Sequence, residues 1–274
     1  MAPSAATPSG APPRGPVGAL QTVAVIARRE LDSYFANPLG WVALCGFVVI
    51  TGFFFVFSIV EFNDVAVQST GNPYMAEQIT INDVLLPMIF GNWAVVLLLM
   101  CPAISMRTFS EDLRQRSFEL LLASPATSGA IVLGKYIGAL GFMTVLFAST
   151  LYQPAVLYWL GTPDPGIVAG SYAAMFLLAA SCLAVGGLAS AFTDSQIIAF
   201  MVSFAALLVL YLMGWVGEMA SADLLSHIAE VSMLSHLDQL MKGLLHVEDM
   251  VYFMTFVGFF LFATQQRVES FRWR

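Results

Sequence analysis

The stretch "WVALCGFVVITGFFFVFSIV", residues 41–60, holds twenty consecutive positions without a charged side chain. At the 1.5 Å rise of an α-helix, that length covers about 30 Å, the thickness of the hydrocarbon core of a bilayer. The composition around it agrees. Of the 274 residues, 58% are hydrophobic and 11% charged, with a mean hydropathy of +0.79, far from the globular average. Apolar runs recur at 84–106, 134–160, 167–192, 196–217 and 250–266, so the chain carries six predicted spans. The ten-residue alternation of a membrane barrel is missing. The expected fold class is therefore an all-α integral membrane protein with six transmembrane helices.

Lys and Arg resist translocation and so orient the spans. Arg14, Arg28 and Arg29 precede the first span. Arg107, Arg114, Arg116 and Lys135 fall between the second and third, and Arg267, Arg272 and Arg274 follow the last. An even number of spans puts all ten on one face, which predicts cytoplasmic termini and leaves Lys242 outside. The outer face collects eleven of the eighteen acidic residues, so the formal charge of −7 is a sum over two faces and signals no preference for basic partners. No basic patch is large enough for a phosphate footprint, which excludes nucleic acid as a partner.

The first residues, "MAPSAATPSGAPPRGPVG", contain five prolines and no apolar core. Residues 1–19 are expected to be a disordered cytoplasmic tail, and 20–274 a single six-helix membrane domain. From Leu20 to Pro38, Val23, Ile26, Ala27, Leu31 and Tyr34 recur at helical spacing, while Arg28, Arg29, Glu30 and Asp32 are read as the opposite side. That pattern predicts an amphipathic interface helix lying along the inner membrane surface.

Two short connections, Gly161–Gly166 and Thr193–Gln196, are read as tight turns. The outer loops at about 61–83 and 218–249 are longer. In 218–249, apolar residues recur every three or four positions, as in amphipathic helices capping the outer mouth of the bundle. His227, His236 and His246 lie there, near Met233 and Met241, but spacings of nine and ten do not make a helical ligand pair, and no metal site is expected. Cys45, Cys101 and Cys182 sit inside spans as small packing residues.

The sizeable inner loop is "RTFSEDLRQRSFELLLASPATSGAIVLGK", 107–135. Glu111 and Arg114, at i, i+3, and Asp112 and Arg116, at i, i+4, are spaced for pairing on a surface helix. Phe118 to Leu122 is then apolar around Glu119. Ser124 and Pro125 resemble an N-cap and first helical position that restart a helix into the membrane. The design is that of a docking surface: a short, partly apolar helix offered to the cytoplasm.

The same loop ends on a near-match to a nucleotide-binding motif. In "SGAIVLGKYIG", 128–138, Gly129 and Gly134-Lys135 fit G-x-x-x-x-G-K, but Tyr136 stands where Ser or Thr would hold Mg²⁺. The intervening Ala-Ile-Val-Leu favours helix, and a membrane span follows in place of an α/β nucleotide fold. Lys135 is read as a boundary residue whose stem snorkels to the interface.

The order of these features resembles the permease subunits of type 2 ABC exporters, and is most similar to the branch that includes gliding-motility and nitrous-oxide-reductase-maturation permeases. The resemblance runs from about residue 20 to the end. It is carried by "ARRELDSYFANP" and by Arg107, Glu111, Glu119-Leu120-Leu121, Ser124-Pro125 and Gly134-Lys135. It implies a multi-pass protein of the bacterial inner membrane that pairs with a second permease copy or paralogue. Each permease would dock a separate ATP-binding subunit through Arg107, Glu111, Arg114, Arg116, Phe118, Glu119, Leu120, Leu121 and Pro125, with Arg28, Arg29 and Glu30 on the interface helix. ATP and Mg²⁺ would be bound by that partner and no cofactor by this chain, which is then not itself an enzyme. The resemblance names no substrate-binding residue.

Two other readings compete. A scaffold relaying ATP-driven motion to periplasmic proteins would use 218–249 as its outer contact. A secondary transporter would place ionisable residues deep in the spans, where this sequence has essentially none. Gly134, Gly138 and Gly141, and separately Gly186, Gly187 and Ser190, form small faces for close helix approach, either within the chain or between two copies.

Overall fold

The computed structural model describes residues 16–69, 80–115, 126–219, 233, 237, 241 and 247–271. Among these the architecture is wholly helical. Helix α1 spans Pro16–Ala36 and α2 Pro38–Ser69. A π-helical turn, Ile81–Leu85, runs into α3, Leu86–Ser105, and α4 follows at Arg107–Gln115. Then come α5 (Ser128–Ser149), α6 (Tyr152–Leu160), α7 (Pro165–Ser190), α8 (Gln196–Met219) and α9 (Val247–Ser270). Six stretches are long and apolar enough to cross a membrane: Pro38–Ser69, Ile81–Gln115, Ser128–Leu160, Pro165–Ser190, Gln196–Met213 and Val247–Ser270. They match the six predicted spans in number and order.

Helix α7 is the centre, packed against α3, α5, α8 and α9. Its second half, "AASCLAVGGLAS", 179–190, is built from small residues. Lipid tails are as apolar as leucine, so helices in a bilayer gain by close packing more than by hiding from solvent. At Gly186 the approach is closest: a Cβ there would lie 1.8 Å from the Ser105 hydroxyl. Toward the far end, Trp93 is fully buried among Phe47, Phe90, Phe147 and Tyr172, with ring centroids 5.4–6.0 Å apart in mostly edge-to-face order.

Two spans differ in detail from the sequence reading. Helix α2 continues through 61–69, expected as outer loop, because Ile59 and Phe62 still pack on the core. The predicted third span, 134–160, is two helices broken at Thr150 and Leu151. Pro154 has no N–H to offer the Thr150 carbonyl, which accepts instead from the Gln153 amide at 2.9 Å and the Tyr172 hydroxyl at 3.2 Å. Helix α5 begins at Ser128, where the Thr127 hydroxyl caps the Ala130 amide at 3.2 Å. The expected cap Ser124 and Pro125 lie outside the described residues. Asn92, one of the few polar mid-span residues, donates to the Ser58 hydroxyl of α2 at 3.2 Å.

Of the outer 218–249 segment, Met233, Leu237 and Met241 are described. All three are buried in the main core at helical spacing, so these methionines are used in packing. The three histidines lie outside the described residues.

Helix α1 departs most from expectation. It begins at Pro16, inside the stretch read as tail, where a fixed φ suits the first helical position. Its apolar face is not left open along its length; it lies lengthwise along α5 and runs in the same direction. Ile26 meets Gly134, Ala27 and Glu30 meet Gly138, Leu31 meets Gly141, and Tyr34 stacks on Phe142 at 4.8 Å. A Cβ at Gly134 would come within 2.7 Å of Ile26, and one at Gly138 within 2.6 Å of Glu30. The glycine stripe is therefore a seat for a helix of the same chain. The tight turn into α2 needs Gly40, whose absent Cβ would sit 1.9 Å from the Tyr34 carbonyl.

Gly138→Ala is expected to displace α1 and destabilise the detergent-purified protein by about 1–3 kcal/mol. Gly187→Ala, where no atom lies within 4 Å of the added Cβ, should shift stability by less than about 0.5 kcal/mol. Equal losses in thermal unfolding of the two variants would contradict the assignment of the stripe.

Candidate functional site

The predicted docking loop starts on α4, a nine-residue helix that leaves α3 through a single turn residue, Met106. A helix this short cannot hold its own ends. Its first turn is held from α7. The Ser190 hydroxyl accepts the Phe109 and Ser110 amides, each at 3.0 Å, and donates to the Met106 carbonyl at 3.0 Å. Ser110 also donates to the Met106 carbonyl. A side chain from another helix thus does the work of an N-cap.

Thr108, Phe109 and Ser110 face inward and are buried. On the outer side, Arg107 pairs with Glu111 at 2.9 Å, and Gln115 donates to the other oxygen of Glu111 at 3.2 Å. The expected Glu111–Arg114 pair is replaced because Arg107 stands one helical turn before Glu111; Arg114 is exposed. Arg116, the expected partner of Asp112, lies outside the described residues; Asp112 turns toward α5.

Its partner there is Lys135. The ammonium lies 2.8 Å from the Asp112 carboxylate, 3.1 Å from Glu30 of α1, and 2.6 Å from the Thr108 carbonyl. The Phe109 ring centroid is 5.6 Å away. The side chain is 6% exposed, so Lys135 does not snorkel to a boundary; it is enclosed where three helices meet. Burying an ammonium is costly, and two carboxylates with a carbonyl are what makes this position tolerable. Beside the node, the Tyr34 hydroxyl donates to the Ile104 carbonyl at 3.3 Å, and burial, reinforced by the Glu30 charge, pushes that phenol well above its usual range.

Glu30 therefore parts from Arg28 and Arg29, which stay exposed, Arg28 within 3.9 Å of Asp32. Two residues of helix turn a side chain roughly 200°, so Glu30 belongs to the Ile26–Glu30–Tyr34 stripe and not to the polar face. That stripe was the legible signal for it. Nothing in the spacing of Lys135 or Ser190 announced their roles.

The chain's last helix closes on the same end. Arg267 donates to the Ala191 carbonyl at 3.4 Å and lies over the rings of Phe192 and Phe271, while Ser128 bonds to Glu269. Arg116, Phe118, Glu119, Leu120, Leu121 and Pro125 lie outside the described residues.

A family model described as ABC-2 family transporter protein matches residues 24–265, well over half of the chain. The chain belongs to the ABC-2 transporter family. The match takes in α4, the Lys135 node, five spans and most of the sixth, and makes this a multi-pass membrane permease of the ABC-2 type. Permeases of this family generally work with an ATP-binding subunit. No curated protein matches the chain. Within this ABC-2 chain, the residues that resembled a P-loop are helical, Gly134 covered by α1, Gly129 facing Gln265 of α9, and Lys135 bonded to carboxylates. Among the described residues no cluster suited to a metal ion is found.

Ser190→Ala is expected to leave the Phe109 and Ser110 amides without their acceptor and to weaken α4 by about 1–2 kcal/mol. Hydrogen exchange should quicken in peptides covering 107–115 while those from α7 hold. Unchanged protection of α4 would contradict the capping role.

Proposed function

We infer that this ABC-2 chain is the permease subunit of an ATP-driven exporter of the bacterial inner membrane, paired with a second permease and with separate ATPase subunits. The observation that carries the reading is α4, fixed at one end of the bundle by Ser190 and Lys135 and passing at Gln115 into the charged and apolar segment 116–125. A short helix held this firmly is suited to receive force. Its exposed Arg114, with Arg28 and Arg29 of α1, borders the same end, where the ATPase would dock using Arg116, Phe118, Glu119, Leu120, Leu121 and Pro125. Arg107 and Glu111 serve by stiffening the helix through their own pair.

The basic residues placed at this end favour a cytoplasmic position for it, and with it both termini. The partner supplies ATP and Mg²⁺ chemistry; this chain supplies the path and the moving spans. The similarity to gliding-motility and nitrous-oxide-reductase-maturation permeases rests on the loop residues quoted above and extends the same reading to a finer branch.

Co-expression with a candidate ATPase tests this. The wild-type chain should co-purify with it and raise its ATP turnover, and Glu119→Arg should cut both by roughly ten-fold or more, as for a charge reversed in an interface core. Co-purification and turnover indifferent to Glu119→Arg would reject docking through this segment.

A further inference from the structure

We propose that Trp93 and Gln153, at the break between α5 and α6, form a binding site for the hydroxyl group of an uncharged amphiphile. The ligand is taken from the bilayer at the seam of α2 and α6, and is the class of cargo this permease receives. The word cargo rests on the exporter reading above; the site itself stands on two buried polar atoms and what surrounds them.

The Trp93 indole N–H and the Gln153 amide oxygen belong to residues 0% and 2% exposed, and neither atom has a hydrogen-bond partner among the described residues. An unpaired polar group is costly in an apolar interior, and at membrane depth there is no bulk water to relieve it. Such exceptions to otherwise complete pairing belong where function requires them. The two residues are linked through their neighbours. Tyr172 lies 5.4 Å from Trp93, ring to ring, and its hydroxyl donates to the Thr150 carbonyl at 3.2 Å. That carbonyl also accepts the Gln153 main-chain amide at 2.9 Å. Indole, phenol, hydroxyl and amide groups therefore gather where the helix is interrupted.

The unpaired atoms define the chemistry of a ligand. The indole requires an acceptor and the amide oxygen a donor, and a hydroxyl is the smallest group that supplies both. A phosphate or carboxylate would satisfy the indole but bring an unpaired charge against the amide oxygen. An ammonium would satisfy the amide and leave the indole unpaired. None of the side chains that meet here is ionised, so either charge would be buried without compensation. Phe47, Phe90 and Phe147 around Trp93 supply apolar walls for the carbon skeleton next to the hydroxyl.

Tyr152 shows how such a group is seated. Its phenol oxygen accepts from the Gln153 side-chain amide at 3.4 Å, a long and therefore weak bond, and its residue is 41% exposed on the outer side of α6. The same hydroxyl lies against α2 at Gly52, where a Cβ would stand 2.8 Å away. A hydroxyl on an apolar body thus already sits beside Gln153 at the seam of α2 and α6. Turning the phenol outward sacrifices one weak bond and vacates the position for a ligand of the same chemistry.

The test uses the full chain in lipid nanodiscs and a photoactivatable diacylglycerol as the probe, an uncharged amphiphile with one free hydroxyl. Label is expected in peptides covering 47–58 and 150–160. Unlabelled diacylglycerol should compete for it, whereas the acetylated analogue, which has lost the hydroxyl, and phosphatidic acid should not. Gln153→Met keeps the volume and removes the acceptor; it should cut the competed label by roughly five- to a hundred-fold while thermal stability holds, since no strong bond is lost. Tyr152→Phe removes the seated hydroxyl and should raise the label by roughly two- to ten-fold. The two variants act in opposite directions, so a general loss of folding cannot imitate the result. Label unchanged in both variants, or equal competition by the acetylated analogue, would overturn the site. So would the absence of competed label together with a loss of stability in Gln153→Met, the pattern of a resident water. In the complex with its ATPase, diacylglycerol should raise ATP turnover in the wild type and not in Gln153→Met. Competed label with turnover indifferent to diacylglycerol would keep the site and overturn its reading as cargo.

Discussion

An ammonium group enclosed in a helical bundle must be surrounded by acceptors, and that requirement organises this end of the molecule. Lys135 lies within the third span at 6% exposure, and its acceptors come from elements far away in sequence: Glu30 before the first span, Asp112 and the Thr108 carbonyl after the second. Removing one partner of such a buried set typically costs about 3–5 kcal/mol, because the charge left behind has no solvent to turn to. Helices α1, α4 and α5 are therefore bound in one arrangement, and the cost of separating them is high.

The close packing that makes this possible depends on missing side chains. Gly134 and Gly138 let α1 lie against α5 so that Glu30 can reach Lys135, and Gly186 lets α3 cross α7 so that Ser190 can reach the first turn of α4. Gly134 and Lys135, the pair that imitates a nucleotide-binding loop, are thus used for two linked purposes: the glycine brings α1 close and the lysine fixes it by charge. In a P-loop the same residue types would free backbone amides for phosphate; here those amides are spent inside a helix.

The spans were legible because hydrophobicity over twenty residues is a strong constraint, and all six were placed correctly to within a few residues at most ends. Their breaks were less so. Pro154 cannot continue the helical bonding, but the split at Thr150 also depends on Tyr172 taking up the carbonyl, a contact across 22 residues that no local pattern encodes. The amphipathic face of α1 was readable from Val23, Ile26, Ala27, Leu31 and Tyr34. What that face covers was not, since an apolar stripe suits a bilayer and a glycine-lined helix equally. At the site, charge spacing within α4 suggested Glu111–Arg114, yet Glu111 pairs with Arg107 one turn before it, and Asp112 meets Lys135 of another helix. Local pairing rules compare neighbours on one helix and cannot see a cation arriving from another.

The central claim is that this ABC-2 permease owes its ATP dependence to a partner, and that Lys135 binds carboxylates and no nucleotide. Photolabelling with azido-ATP measures this directly, on the purified chain alone and on its complex with the ATPase. The account predicts label on the ATPase alone, with nucleotide affinity of the complex unchanged by Lys135→Met. Label on the isolated permease that disappears with Lys135→Met would contradict it.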